Sequence, residues 1–238
     1  MPRKKIVFVI VEGPSDEEAL GVLLNRIYDS KVVHVHIMHC DMTTELNVNP
    51  GNVVAKIGDL VKDYAGRMFK PGDFSQIIHI TDTDGAFVPD AAVVEDAGAA
   101  KPIYSTTEIR TQRKGEIEDR NRRKAANLNR LSATSKVWNV PYRIYYMSCN
   151  LDHALYGKLN STDDEKENDA SAFAKRFRAD IPGFIAFISE SDFSIADSYP
   201  QSWQYIREGL HSLERHTNFG LCFKTQDTDL DHQLGTKE

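Results

Sequence analysis

The chain has 238 residues, 41% of them hydrophobic and 27% charged, which is the balance of a packed globular protein and excludes a disordered one. That length can bury a core in one large domain, or in one domain with an appended lobe, without disulfide or metal staples. No stretch approaches the roughly 20 apolar residues of a membrane span, and Cys40, Cys149 and Cys222 lie far apart without CxxC spacing, so neither a disulfide framework nor a zinc site is indicated.

No signal peptide is evident in MPRKKIVFVIVEG, and the cytoplasm is the expected compartment. The net charge of −6 would argue against a nucleic-acid partner if it were evenly spread. It is not, because residues 110–136 hold nine Lys or Arg against three acids, a local balance of +6.

Residues 4–11, KKIVFVIV, form the continuous apolar run of a strand covered on both faces. After the turn at Gly13 and Pro14, the spacing of Ala19, Leu20, Leu23, Leu24 and Ile27 predicts a helix, with Ser15 as N-cap and acids in its first turn. A strand is predicted over 32–38, a helix over 52–65, and a third strand over 75–81 that ends in Asp82-Thr83-Asp84-Gly85. Residues 86–103 read as loop with one short strand at most, and 112–135 as a highly charged helix. YRIYYMS at 142–148 is a fourth strand, and Asn150, Asp152 and His153 open the helix after it. Beyond it come a helix through Ala170, Phe173, Ala174 and Phe177, the apolar runs FIAFIS and SYPQSW, a helical YIREGLHSLERHTN, and a polar tail from about 225 expected to fray.

Alternating strands and helices predict an α/β fold, a Rossmann-like mostly parallel sheet, with an additional C-terminal helical or mixed lobe. The expected division is a catalytic domain over 1–158, with a basic insertion at about 105–136, and an extension over 159–238.

In such sheets ligands sit outside the carboxyl ends of the strands. The first strand delivers Glu12 there, the third Asp82 and Asp84, and the fourth Asn150 and Asp152. Asp82 and Asp84, two apart in extended chain, point to one side and repel, at about 3 kcal/mol for charges 5 Å apart in an effective dielectric of 20. A proton or a cation relieves that, and Mg²⁺ needs only one or two carboxylates, with water and phosphate completing its shell. Taken singly, each motif also reads as a solvated turn, and the acids after Gly13 as stabilisers of a helix N-terminus.

Val11-Glu12-Gly13-Pro14-Ser15-Asp16 resembles the first Toprim motif, and Thr81-Asp82-Thr83-Asp84-Gly85 resembles its Asp-x-Asp motif, over residues 4 to about 155. The resemblance is closest to the Toprim nuclease domain of the OLD family. It implies Glu12, Asp82 and Asp84 as catalytic residues and one or two Mg²⁺ or Mn²⁺ ions held by them, with Asp16 and Asp152 as further metal ligands. It implies a nuclease acting on DNA or RNA, stand-alone or in a larger machine with a partner such as an ATPase, in phage defence or nucleic-acid processing. No zinc ribbon, ATPase region or strand-passage Tyr motif accompanies it, which speaks against topoisomerase and primase activity.

Arg110, Arg113, Lys114, Arg120, Arg122, Arg123 and Lys124 are the candidate nucleic-acid contacts, against the plainer reading of a solvated helix face. His34, His36 and His39 lack a convincing further ligand and read as structural or surface residues, and Tyr142, Tyr145, Tyr146, Trp203 and Tyr205 read as core in preference to base-stacking platforms. Two rival functions stand beside the nuclease. One is a phosphohydrolase resembling the haloacid dehalogenases, with Asp82 as nucleophile; the other is a non-catalytic Toprim-like interaction module.

Overall fold

Lys5–Val11 (β1) is apolar without alternation because both of its faces are covered. Val7, Val9 and Val11 enter one hydrophobic cluster while Ile6, Phe8 and Ile10 enter another. The computed structural model, which describes residues 4–28 and 33–224, places this strand inside a five-stranded sheet. Pro14–Ile27 (α1) crosses over to Val33–His39 (β2), and Val53–Ala65 (α2) crosses back to Phe74–Asp82 (β3) on the other side of β1. Val140–Met147 (β8) then pairs parallel with β3, giving the order β2-β1-β3-β8. The α/β class and the mostly parallel sheet expected from the sequence are both present.

Between β3 and β8 the chain is more structured than a loop. Val93–Glu95 (β4), Ile103–Tyr104 (β5) and Ile109–Thr111 (β6) form a small mixed sheet in the order β4-β6-β5, where a single short strand at most was expected. Each strand is only two or three residues long, too short to show a period. Lys114–Ser132 (α3) follows, and Lys136–Val137 (β7) turns through Trp138 and Asn139, both at positive φ, into a hairpin with β8. That hairpin was not anticipated either, because neither turn residue is the Gly that a tight hairpin usually shows.

Leu151–Tyr156 (α4), Asp163–Phe177 (α5) and Ile181–Glu190 (α6) cover the same face as α1, where Phe173, Phe177 and Phe184 pack with Leu20, Leu23 and Leu24. Tyr199–Ile206 (α7) lies on the opposite face with α2 and α3, burying Trp203 and Ile206. It also closes the sheet edge. The Tyr199 hydroxyl donates to the Ile144 carbonyl at 2.9 Å and accepts from the Ile144 amide at 3.3 Å, standing in for a neighbouring strand.

Two local expectations are corrected. Helix α1 is capped by Gly13, not Ser15, because Pro14 takes the first helical position and Asp16 reaches back to accept the Gly13 amide at 2.9 Å. The helix expected over YIREGLHSLERHTN ends at Ile206: Gly209 takes φ +54°, and residues 210–217 run in turns instead. The expected frayed tail lies outside the described residues.

Candidate active site

β1 and β3 are adjacent strands whose connections leave in opposite directions, so the topological switch point lies at their carboxyl ends. Glu12 follows β1 directly and Asp82 ends β3. They meet there. Glu12 Oε1 accepts from the Thr81 hydroxyl at 2.6 Å and from the Asp82 amide at 3.1 Å. Asp82 Oδ1 accepts the Leu151 amide at 2.9 Å, which ties the third strand to the start of α4.

The Asp82-Thr83-Asp84-Gly85 turn is held from three sides. The Thr83 and Asp84 amides donate to the carbonyls of Met147 and Cys149, at 3.0 and 2.7 Å. The buried Thr83 hydroxyl donates to the Ser212 carbonyl at 2.8 Å, and Arg120 donates to the Asp84 carbonyl at 2.9 Å. Asp84 and Gly85 both have positive φ, +49° and +67°, so the chain reverses tightly and carries the Asp84 carboxylate back over the strand ends. A Cβ on Gly85 would stand 2.8 Å from Leu213 and 2.9 Å from Ile109, so this position demands glycine for space as well as for φ.

At the centre is Lys124, projecting from α3 and fully buried. Its ammonium donates to Glu12 Oε1 at 3.2 Å and to Asp84 Oδ2. Asp41, which follows β2, also feels its charge. Asp41 is fixed by the Thr43 amide and hydroxyl, at 3.2 and 3.0 Å, and by the Thr44 side chain. Glu12, Asp41, Asp82 and Asp84 therefore share one buried ammonium, and Asp16, itself buried, adds to the negative charge at Asp82.

The electrostatics follow from that imbalance. Burial pushes Glu12 up to about 8; Lys124 opposes the shift, and Asp84 and Asp41 add to it. Asp82 is driven well above the usual carboxylate range by burial, then by Glu12, Asp16 and Asp84. Burial also raises Asp16. Asp41 goes the other way: burial would raise it, but Lys124 and the hydrogen bonds from Thr44 and Thr43 outweigh that. Lys124 is disfavoured as a cation by burial, yet the surrounding carboxylates hold it firmly protonated.

Compared with protein families, with characterised proteins and with solved structures, the chain matches none. What the site can do follows from its own groups. Its groups are hard carboxylate oxygens that outnumber the one ammonium of Lys124, the donor type that hard cations such as Mg²⁺ or Mn²⁺ accept. Among the described residues no three Asp, Glu, His or Cys side chains already converge on one point. Such a cation fits as one held by one or two of these carboxylates, with water and substrate oxygens completing its shell.

The remaining candidates fall in different places. Asp152 is buried on α4 beside Asp16 and Lys166, one step behind Asp82, and burial raises it to about 6. Lys124 cannot serve as a surface phosphate contact, because it is wholly inside the acid cluster. Arg120 is largely committed too, bonded to the Tyr104 hydroxyl at 2.7 Å, to Asn121 and to the Asp84 carbonyl. Arg123 holds the Thr44 carbonyl at 3.1 Å, fixing the loop that carries Asp41. Arg110, Arg113, Lys114 and Arg122 are solvent-accessible, each in an ion pair with a nearby acid. Of the histidines, His36 stacks on Tyr64 and His39 pairs with Glu17.

Asp41 and Lys124 are the members of this cluster that the sequence reading missed or misplaced. A signal existed for each. Asp41 sits just past the second strand, as Glu12 does past the first. Lys124 falls on the stripe Ile117, Asn121, Lys124, Leu128, Leu131, which is the buried face of α3.

Proposed function

We propose that the chain is a metal-assisted phosphodiesterase acting on nucleic acid, with a site of the Toprim kind. The observation that supports this best is the gathering of Glu12, Asp41, Asp82 and Asp84 around the single ammonium of Lys124, at the switch point of a parallel sheet. Structural ion pairs balance their charges; this cluster carries an excess that a divalent cation and a phosphodiester between them would complete.

Asp82 and Asp84, with Glu12, are the residues that would hold Mg²⁺ or Mn²⁺. When bound, such an ion supplies Lewis-acid polarisation of the phosphoryl group and a nucleophile active at neutral pH. The protein's own groups do the rest. Lys124, wholly buried, fixes the Glu12 and Asp84 carboxylates in place and offsets part of their charge. With no cation bound, burial lets Glu12 carry a proton near neutral pH, one that it would release on binding the metal. Arg120 holds the Asp84 turn in place. Arg113 and Arg122, whose present partners Glu116, Asp90 and Asp119 are exposed acids, can exchange these for backbone phosphates at small cost, and Lys114, paired with the half-buried Glu118, is a further candidate.

The deciding assay uses labelled single- and double-stranded DNA and RNA with Mg²⁺, Mn²⁺ or EDTA. Metal-dependent cleavage is expected, lost in Glu12→Gln, Asp82→Asn and Asp84→Asn. A wild-type protein that leaves all four polymers intact with either metal would sink the proposal.

A further inference from the structure

A cavity with a mainly apolar lining and two arginines lies away from the acid cluster, at the C-terminal end of α3. It measures about 350 Å³ and is bounded by Ser132 at the end of α3 and Thr134 and Ser135 beyond it, by Arg143 on β8, by Trp203 on α7 and by Arg207 just after it. No carboxylate lines it. Both guanidinium groups are fixed in place: Arg143 lies 4.4 Å over the Tyr199 ring, and Arg207 lies 5.9 Å from the Trp203 ring and donates to the Ser132 hydroxyl at 2.9 Å. Among the described residues neither forms an ion pair with an acid. They contrast with Arg110, Arg113, Lys114 and Arg122, each of which does.

Two preset, unneutralised guanidiniums facing hydroxyl groups across an acid-free cavity make a receptor for a tetrahedral oxyanion. Arginine forks match phosphate oxygens in pairs, and stacking on an aromatic ring lowers the entropy lost when they bind. Tyr199 and Pro200 add an apolar surface on which the organic part of an ester can rest. We propose that this pocket binds a phosphate group.

The group can belong to a free phosphate ester or to a nucleic-acid backbone. From Lys124 in the acid cluster to Ser132 at the pocket is eight residues of α3, about 12 Å. A strand running along that helix could engage both places. The pocket shares no residue with the acid cluster.

The test uses the full chain in EDTA, so that no cleavage intervenes, with Arg143→Gln, Arg207→Gln and Ser135→Glu beside the wild type. The last variant sets a negative charge at the rim and leaves both stacked arginines intact, so it reports even if an arginine variant folds poorly. Inorganic phosphate and adenosine monophosphate are titrated by calorimetry, and a labelled single-stranded oligonucleotide by anisotropy at several salt concentrations. If the free phosphates bind and all three variants weaken them about tenfold or more, the pocket is a site for a free phosphate ester. If only the oligonucleotide binds, and the arginine variants flatten its salt dependence by about 0.7 in log–log slope each, the pocket holds a backbone phosphate. Variants that melt like the wild type and bind all three probes as the wild type does, or a wild type that binds none of them, would overturn the proposal.

Discussion

The Lys124 ammonium sits where four carboxylates would otherwise face each other unscreened. Lys124→Met keeps the volume of the side chain and removes the charge, leaving Glu12 and Asp84 without their main partner. Breaking a buried pair on one side costs about 3 kcal/mol or more. A urea midpoint in EDTA at pH 7 should fall accordingly, and added Mn²⁺ should recover part of the loss if the carboxylates accept a cation. A second residue, on β3 and within the field of Asp41 and Lys124, gives a pH signature of its own. His79 is fully buried, its Nδ1 on the Tyr142 hydroxyl at 2.9 Å and its Nε2 without a hydrogen-bond partner among the described residues. Burial pushes it down to about 3. In the unfolded chain it titrates near 6.5, so below that pH the unfolded state takes up a proton that the folded state refuses. Stability is therefore lost as pH falls from about 6.5 towards 3, at about 1.4 kcal/mol per unit from this group. His79→Leu should flatten the difference between denaturant midpoints at pH 7 and pH 5, and an unchanged difference would show that His79 does not remain neutral inside.

At the level of elements, the acid turn depends on what packs behind it. Gly85→Ala must place a methyl group 2.8 Å from Leu213 and adopt φ +67°, which together should cost about 2 kcal/mol or more and displace Asp84. Thermal melting should show the stability loss, and nucleic-acid cleavage in the presence of metal should fall with it. The open edge of β8 gives a milder case. Tyr199→Phe leaves the Ile144 amide and carbonyl without their hydroxyl partner, for an expected loss of about 1–2 kcal/mol in chemical denaturation. How far the sequence could foresee these elements depended on length. β1, β3 and β8 are long apolar runs between turn residues, and α2 and α3 carry a helical period, so all five were legible. β4 to β7 are two or three residues each, set by tertiary pairing and not by local pattern. Glu12, Asp82 and Asp84 were legible because strand ends and turn residues mark them locally. The bonds that make them a site were not, since Lys124 and Ser212 arrive from 112 and 129 residues away in the chain.

At the level of the whole molecule, the segment after residue 158 bears on both the core and the site. Its Phe173, Phe177, Phe184 and Phe219 complete the cluster over one face of the sheet, and Trp203 and Ile206 enter the cluster on the other. Its turns reach the active end as well. The Ser148 hydroxyl donates to the carbonyls of His211 and Glu214, at 2.8 and 2.7 Å, and the Tyr146 amide to the Asn218 side chain at 2.8 Å. A chain cut after Lys158 would therefore expose large apolar faces on both sides of the sheet and leave the buried Thr83 hydroxyl without its acceptor. Each fully buried aromatic lost removes about 2 kcal/mol or more of hydrophobic stabilisation, against a total stability of about 5–15 kcal/mol for a domain. Residues 1–158 alone should give no cooperative melt by circular dichroism and bind a hydrophobic dye. Adding residues 159–224 as a separate polypeptide should restore folding only at concentrations where the two associate. A cooperative transition in the short fragment would mean that the sheet is stable without its C-terminal cover, and that the later residues act on the acid turn alone.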